Sequence, residues 1–378
     1  MKIAARFAAA MLCILLLPMR VDVCALSVSA KAAVLLCAET GEVLYALHAQ
    51  DRLSMASTTK IMTALLTLEA CAPLRTVCVS EEMTAVEGTS MGLLPGDTVT
   101  LYGLACGMLL SSGNDAANAA AIALSGSIHA FAEKMNRRAF EIGMHDTHFV
   151  TPSGLDDEAH YSTALDMALL ARAALRNPVF RRICSSSSLS ISYGNPPYRR
   201  SLANHNRLLQ SYPGCIGVKT GFTKKSGRCL VSAAQRDGVT LIAVTLSDPD
   251  DWFDHAAMLD YGFETVHRQE LDADLTDVLL PVVGGSSSTC ALRFAYEPTA
   301  VSDARGGEII RQLYLEHFAY APVSAESIAG RAVYLCNGEI VCDVPLVAAQ
   351  DIPSYVRSVA QPKQSVFQRW MHKLKGVF

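Results

Sequence analysis

Ser57 and Lys60 stand three residues apart, so on a helix their side chains share one face. A serine hydroxyl becomes a good nucleophile only when a nearby base takes its proton. A helix that begins at Ser57 also offers free backbone N–H groups and a dipole that favours a developing oxyanion. Ile61, Met62, Ala64, Leu65 and Leu66 follow, which predicts a buried helix. Burial and a second cation would depress the pKa of Lys60 and leave neutral amine to act as base. Lys219 is the obvious second cation. Two further patterns lie downstream, Ser112-Gly113-Asn114 and Lys219-Thr220-Gly221. The hydroxyl of Ser112 and the amide of Asn114 suit a proton relay and a grip on a substrate amide. Lys219 and Thr220 suit a carboxylate, and Gly221 lets an extended peptide lie close to the strand. The backbone N–H of Phe222, with that of Ser57, would complete an oxyanion hole.

Each pattern also has a plainer reading. Ser57 to Lys60 would serve as a helix cap with a solvated lysine, Ser112 to Asn114 as the N-cap of an Ala-rich helix, and Lys219 to Gly221 as a turn. Alone, each plain reading prevails. The occurrence of all three, in order and once each, reverses that balance.

The flanking elements are readable in outline. Lys31 to Tyr45 predicts a hairpin, with Ala33 to Leu36 a buried strand and Glu39-Thr40-Gly41-Glu42 the turn. Ala116 to Leu124 is apolar nearly all round and predicts a buried helix. Ile128 to Gly143 and Thr163 to Leu175 have the pattern of amphipathic surface helices. Ile216-Gly217-Val218 predicts an edge strand leading into Lys219. Cys229 to Ala234 and Val239 to Ser247 predict strands joined at Arg236-Asp237-Gly238. Trp252 to Tyr261 predicts a helix closed by Gly262. After about Thr265 the pattern changes to short β-rich segments, with a type I′ hairpin at Asn337-Gly338. The expected division is 1–25 leader, 31–266 catalytic domain, 267–352 all-β domain and 363–378 terminal helix.

Length and composition set bounds. The 378 residues have room for a large domain and a smaller one, and a net charge of −4 with no long basic stripe excludes a nucleic-acid binder. Lys2 and Arg6 precede an apolar run from Phe7 to Met19, the pattern of a secretory leader cleaved after Ala25, with Val28-Ser29-Ala30 a second option. The mature protein is thus expected outside the cytoplasm. Twelve cysteines fall mostly singly in apolar runs, the pattern of buried thiols, although Cys336 and Cys342 flank the hairpin turn. His145, His148 and His160 form no ordered ligand set, so neither metal nor cofactor is expected. Val366, Phe367, Trp370, Met371, Leu374 and Phe378 recur at helical spacing among Lys363, Arg369, Lys373 and Lys375. That pattern suits a helix lying on an anionic membrane surface.

With these residues in view, the chain resembles the low-molecular-mass penicillin-binding proteins of the D-alanyl-D-alanine carboxypeptidase type, from about Ala33 to about Phe263. Beyond the three motifs the likeness rests on Met135-Asn136, Gly143-Met144, Thr147-His148-Phe149 and Pro152-Ser153-Gly154-Leu155. It extends through His160-Tyr161-Ser162-Thr163-Ala164 with Asp166, and Asp260-Tyr261-Gly262-Phe263. The resemblance implies an α/β (α+β) penicillin-binding, β-lactamase-like domain, with a central antiparallel sheet flanked by helices and a small all-β domain after it. It implies Ser57 as nucleophile, Lys60 as base, Ser112 as proton donor to the departing D-alanine and Asn114 as peptide holder. Lys219, Thr220 and Gly221 would grip the terminal carboxylate, and β-lactams would acylate Ser57 and stay. A β-lactamase shares the motifs but usually adds an E-x-x-L-N loop, which is missing here. A transpeptidase and a non-catalytic binder are the other readings. One departure stands out. Many relatives carry an arginine just before the helix near Trp252, where this chain has Ser247-Asp248-Pro249-Asp250-Asp251. Arg228 and Lys224 are the candidates to replace it.

Overall fold

The computed structural model describes residues 26–70, 72–302 and 307–355. The expected leader and the terminal helix lie outside the described residues. The chain divides into two compact units at Glu264 and Thr265.

In the first unit, strands β1 (Ala32–Cys37) and β2 (Val43–Leu47) form the expected hairpin. Downstream, β3 (Cys215–Thr223), β4 (Gly227–Arg236) and β5 (Val239–Leu246) complete an antiparallel sheet in the order β2-β1-β5-β4-β3. Every residue of β1 and β5 is buried. The two strands are therefore covered on both faces, which explains their unbroken apolar runs. Val34, Leu36, Ile242 and Val244 join the main core, formed with helices α1 (Lys60–Glu69), α2 (Leu101–Leu109), α3 (Asn114–Ser125) and α4 (Ala164–Leu175). Leu35 and Leu241, pointing the other way, meet helix α5 (Asp251–Thr265).

Two details differ from the sequence expectation. Gly262 does not close α5 but sits within it, where an added Cβ would lie 2.5 Å from Leu241 Cδ1 and 2.9 Å from Leu35 Cδ2. Its lack of a side chain lets the helix settle on the sheet, a gain set against the roughly 1 kcal/mol that glycine costs a helix. Helix α4 is not a surface helix. It packs on β1 and β5 through Ala164, Met167, Ala168, Ala171 and Ala174, small residues that blur its amphipathic pattern. A further hairpin, Ser188–Gly194 with Pro197–Ala203, belongs to a separate four-stranded sheet.

Among the described residues the second unit, from its first strand on, is all β, with a six-stranded sheet and a two-stranded pair. Its central hairpin joins Ile328–Cys336 to Glu339–Ala348 through Asn337 (φ 52°) and Gly338 (φ 86°), the positive angles a type I′ turn requires. Leu280, Leu292, Ala332, Tyr334 and Leu346 form its core. Cys336 lies opposite Glu339 and Cys342 opposite Tyr334, and both are free thiols.

Candidate active site

A 3-10 turn, Ala56–Thr59, carries Ser57 and runs directly into α1. Lys60 is fully buried, and its Nζ lies 2.9 Å from Ser57 Oγ. The ammonium position also donates to the Ser153 carbonyl at 2.6 Å, which fixes the side chain along the helix face. Burial first, and then the charge of Lys219, hold the Lys60 pKa well below the usual lysine range, with Asp115 opposing weakly. The pair is thus a hydroxyl beside an amine poised to lose its proton.

His160 explains how Ser153 reaches Lys60. Its Nδ1 accepts from the backbone N–H of Val150 at 2.9 Å, so the Nε2–H donates to Thr59 Oγ1 at 2.9 Å. Burial pushes the imidazole down to about 4, so it stays neutral and ties the 150–154 loop to the turn that carries Ser57. Gly154 completes that contact. With φ +82°, its added Cβ would fall 2.0 Å from the Ala56 carbonyl oxygen.

The second motif sits in the turn between α2 and α3. Ser112 adopts φ 57°, a left-handed conformation that aims its Oγ at Lys219 Nζ, 3.0 Å away. Asn114 Nδ2 donates to the Glu87 carbonyl at 2.6 Å. Its Oδ1 is buried in the same cleft with no partner. Asp115 anchors the loop in front by accepting from Ser90 Oγ (2.6 Å) and the N–H groups of Met91 (2.9 Å), Gly92 (3.0 Å) and Leu93 (3.0 Å).

The third motif lies on β3 at the sheet edge, in line with the expected edge strand. Lys219 is buried and donates to the Thr220 carbonyl at 2.8 Å as well as to Ser112. Desolvation pulls its pKa down to about 7. A Cβ on Gly221 would lie 3.1 Å from Met55 O, Ser57 N and Thr58 N. Only glycine lets the strand pass this close to the Ser57 turn. Phe222 is largely exposed at the rim.

Ser57, Ser112, Asn114, Thr220, Gly221 and Phe222 line one cleft of about 600 Å³, together with Gly88, Thr89, Ser153, Gly154, His205, Arg207, Arg228, Asp251 and Trp252, while Lys60 and Lys219 reach it through Ser57 and Ser112. All three motifs therefore meet. Arg228 lines the cleft, whereas the other candidate, Lys224, is exposed and does not. Among the described residues no group of three or more His, Cys, Asp or Glu is placed to hold a metal ion.

The family model for the D-alanyl-D-alanine carboxypeptidases, Peptidase_S11, matches residues 19–250. This chain belongs to that family. The carboxypeptidase is 33% identical over 337 residues to DacF of Bacillus subtilis, covering 85% of this chain and 86% of that protein. It is 32% identical over 349 residues to DacC of Escherichia coli, covering 86% and 85%. Among solved structures, penicillin binding protein 5 from Haemophilus influenzae superposes with TM-score 0.62 at 26% identity, over 87% of this chain and 98% of that one. The DD-transpeptidase of Streptomyces K15 superposes with TM-score 0.60 at 32% identity, over 63% of this chain and 98% of that one. The chain is accordingly a serine-type D-Ala-D-Ala carboxypeptidase, a penicillin-binding hydrolase of peptidoglycan metabolism.

Sequence reasoning does not place Ser153, His205 or Arg207 in the lining of the carboxypeptidase cleft, nor His160 and Asp115 as its supports. His160 reads in the sequence as a core or surface histidine rather than a metal ligand, within a stretch that carries the family resemblance. Asp115, directly after Asn114, reads as an ordinary first-turn helix acid. Ser153 acts through its carbonyl, which carries no side-chain signature. His205 and Arg207 fall in a polar loop with no motif around them.

Proposed function

We propose that Ser57 is the acylated residue and that the three motifs divide the work of a two-step hydrolysis. The observation that carries this reading is the 2.9 Å contact between Ser57 Oγ and a buried Lys60 amine whose pKa is pulled down by burial and by Lys219. Lys60 takes the hydroxyl proton as Ser57 Oγ bonds to the carbonyl carbon between the two D-alanines. The oxyanion forms against the backbone N–H groups of Ser57 and Phe222. The C–N bond then breaks as Ser112 passes its proton to the departing D-alanine amine and regains one from the protonated Lys60, which returns to the neutral amine. Water next attacks the ester and yields its proton to Lys60. The carboxylic product leaves, and Ser57 regains its hydrogen.

The unpartnered, buried Oδ1 of Asn114 supports its role as acceptor for a substrate amide N–H. Lys219, Thr220 and Gly221 bind the terminal carboxylate and the extended peptide. β-Lactams, whose ring carbonyl takes the place of the scissile amide, acylate the same serine. The residue pattern at the two ends supports export through a cleaved leader and attachment to the outer face of the membrane by the 363–378 helix.

The test is release of D-alanine from diacetyl-Lys-D-Ala-D-Ala by the protein without its leader, beside Ser57→Ala. Equal release by both proteins refutes the assignment of the nucleophile, and no release by the wild type refutes the hydrolytic role. A fluorescent penicillin should label the wild type alone. Deleting 363–378 should free the exported protein from membranes, and unchanged partition removes the anchor.

A further inference from the structure

Three observations converge on Arg228. The first is its place in the sheet. It lies directly opposite Phe222 in the β3–β4 ladder, and Thr220 lies two residues along from Phe222. By the pleat, Thr220, Phe222 and Arg228 project from one face. Thr220 and Arg228 are then diagonal neighbours, with backbones about 7–8 Å apart, a gap that a long side chain spans.

The second is how the guanidinium is held. Its Nη2 donates to Asp251 Oδ1 at 2.5 Å, and its centre lies 5.6 Å from the ring centroid of Trp252. Asp251 is buried, so the acid is a fixed post rather than a passing surface partner. The third is what the guanidinium leaves unused. Nε is buried with no hydrogen-bond partner, and Nη1 has none among the described residues. With Nη2 held by Asp251 and Nη1 without a partner among the described residues, the guanidinium keeps N–H donors for a planar anion in the cleft.

The other cations at the site offer no free guanidinium fork, although Lys219 adds its charge to the same carboxylate. Lys60 and Lys219 are buried and engaged with Ser57, Ser112 and backbone carbonyls. Arg207 is exposed and its side chain has no anchoring partner among the described residues. Arg228 alone is both permanently charged and held in place.

We propose that Arg228, positioned by Asp251 and Trp252, binds the terminal carboxylate of the substrate beside the Thr220 hydroxyl and makes the enzyme selective for free-acid peptide ends. The proposal rests on the peptidase reading of this cleft. It assigns carboxylate recognition to a side chain on β4, in a chain whose segment before α5 is acidic.

The experiment compares diacetyl-Lys-D-Ala-D-Ala with the same peptide ending in a C-terminal amide, following release of the terminal amine. Wild type, Arg228→Gln and Arg228→Lys are measured, each checked for wild-type thermal melting. Glutamine keeps a hydrogen bond for Asp251 but removes the charge. Arg228→Gln should lower kcat/KM on the free acid roughly 10- to 100-fold, mainly through KM, the range expected for one charged hydrogen bond. It should change the amide by less than about 3-fold, because the neutral terminus lacks the charge-assisted part of the contact. Arg228→Lys should recover part of the loss. Equal losses on both peptides would assign Arg228 a structural role and overturn the proposal. An unchanged free-acid KM in Arg228→Gln would do so too. Absence of amine release by the wild type from both peptides would instead refute the hydrolase reading, and the proposal with it.

Discussion

Gly221→Ala isolates the contact between β3 and the nucleophile. In a strand, replacing glycine by alanine ordinarily stabilises by about 0.4–1 kcal/mol, because the unfolded chain loses freedom. Here the new methyl would sit 3.1 Å from Met55 O, Ser57 N and Thr58 N, all backbone atoms. None can swing aside as a side-chain tip would, so β3 and the Ser57 turn must separate by a few tenths of an ångström. Overpacking of this kind costs about 1–3 kcal/mol, so the net stability change should be a loss of about 0–2.5 kcal/mol. The catalytic loss should be larger. The methyl covers the Ser57 N–H, and removal of one oxyanion donor lowers kcat by about 10²–10³-fold. The variant should therefore melt no more than about 10 °C below the wild type yet release D-alanine at least about 10²-fold more slowly. Acylation by a fluorescent penicillin should slow in parallel. Wild-type kcat/KM in a folded Gly221→Ala protein would refute the claim that close approach of the strand builds the site.

Gly154→Ala should be costlier to the fold, since its Cβ would fall 2.0 Å from Ala56 O at φ +82°; a loss of about 3 kcal/mol or more is expected in urea unfolding, and less than about 1 kcal/mol would contradict the packing described. Acid should destabilise the protein through His160 and His255, which burial holds at about 4 and about 3. The unfolded chain takes up protons below about pH 6.5 while these two stay neutral, so stability falls by about 1.4 kcal/mol per pH unit for each, until the folded values are reached; a flat stability between pH 6 and 5 would exclude it. Lys219, at about 7, loses its charge as pH rises through that value. The ratio of kcat/KM for a free-acid peptide to that for its amide should therefore fall above pH 7. Using the ratio cancels the ionisation of Lys60, and a constant ratio from pH 6 to 9 would remove Lys219 from carboxylate binding.

Much of the chemistry was legible because it is local. Ser57 and Lys60 lie one helical turn apart, so their meeting depends only on α1 forming, and the apolar run behind them ensures that. The turns at Asp237-Gly238 and Asn337-Gly338 were readable for the same reason, since positive φ at two successive residues selects those residue types. The hairpin at Ser188–Ala203 was overlooked although Leu189, Ile191 and Tyr193 alternate with serines, a period-two signal masked by the serine cluster before it. Gly262 misled because glycine near a helix end usually caps it, and nothing nearby in the sequence records that Leu35 and Leu241 will lie beneath it.

By itself, then, the sequence determined the inventory: a serine with its lysine, a serine-asparagine turn, a lysine-threonine-glycine strand, and a β-rich second unit. Each of these follows from spacing and propensity over a few residues. The tertiary structure alone decided that Lys219 reaches Ser112 across 107 positions of chain, that the Ser153 carbonyl holds Lys60, and that Asp251 clamps Arg228. The physical reason is that a lysine's basicity and an arginine's free donors are set by burial and by neighbours in space. Those neighbours come from distant segments, and only the packed sheet and helices bring them within hydrogen-bonding distance.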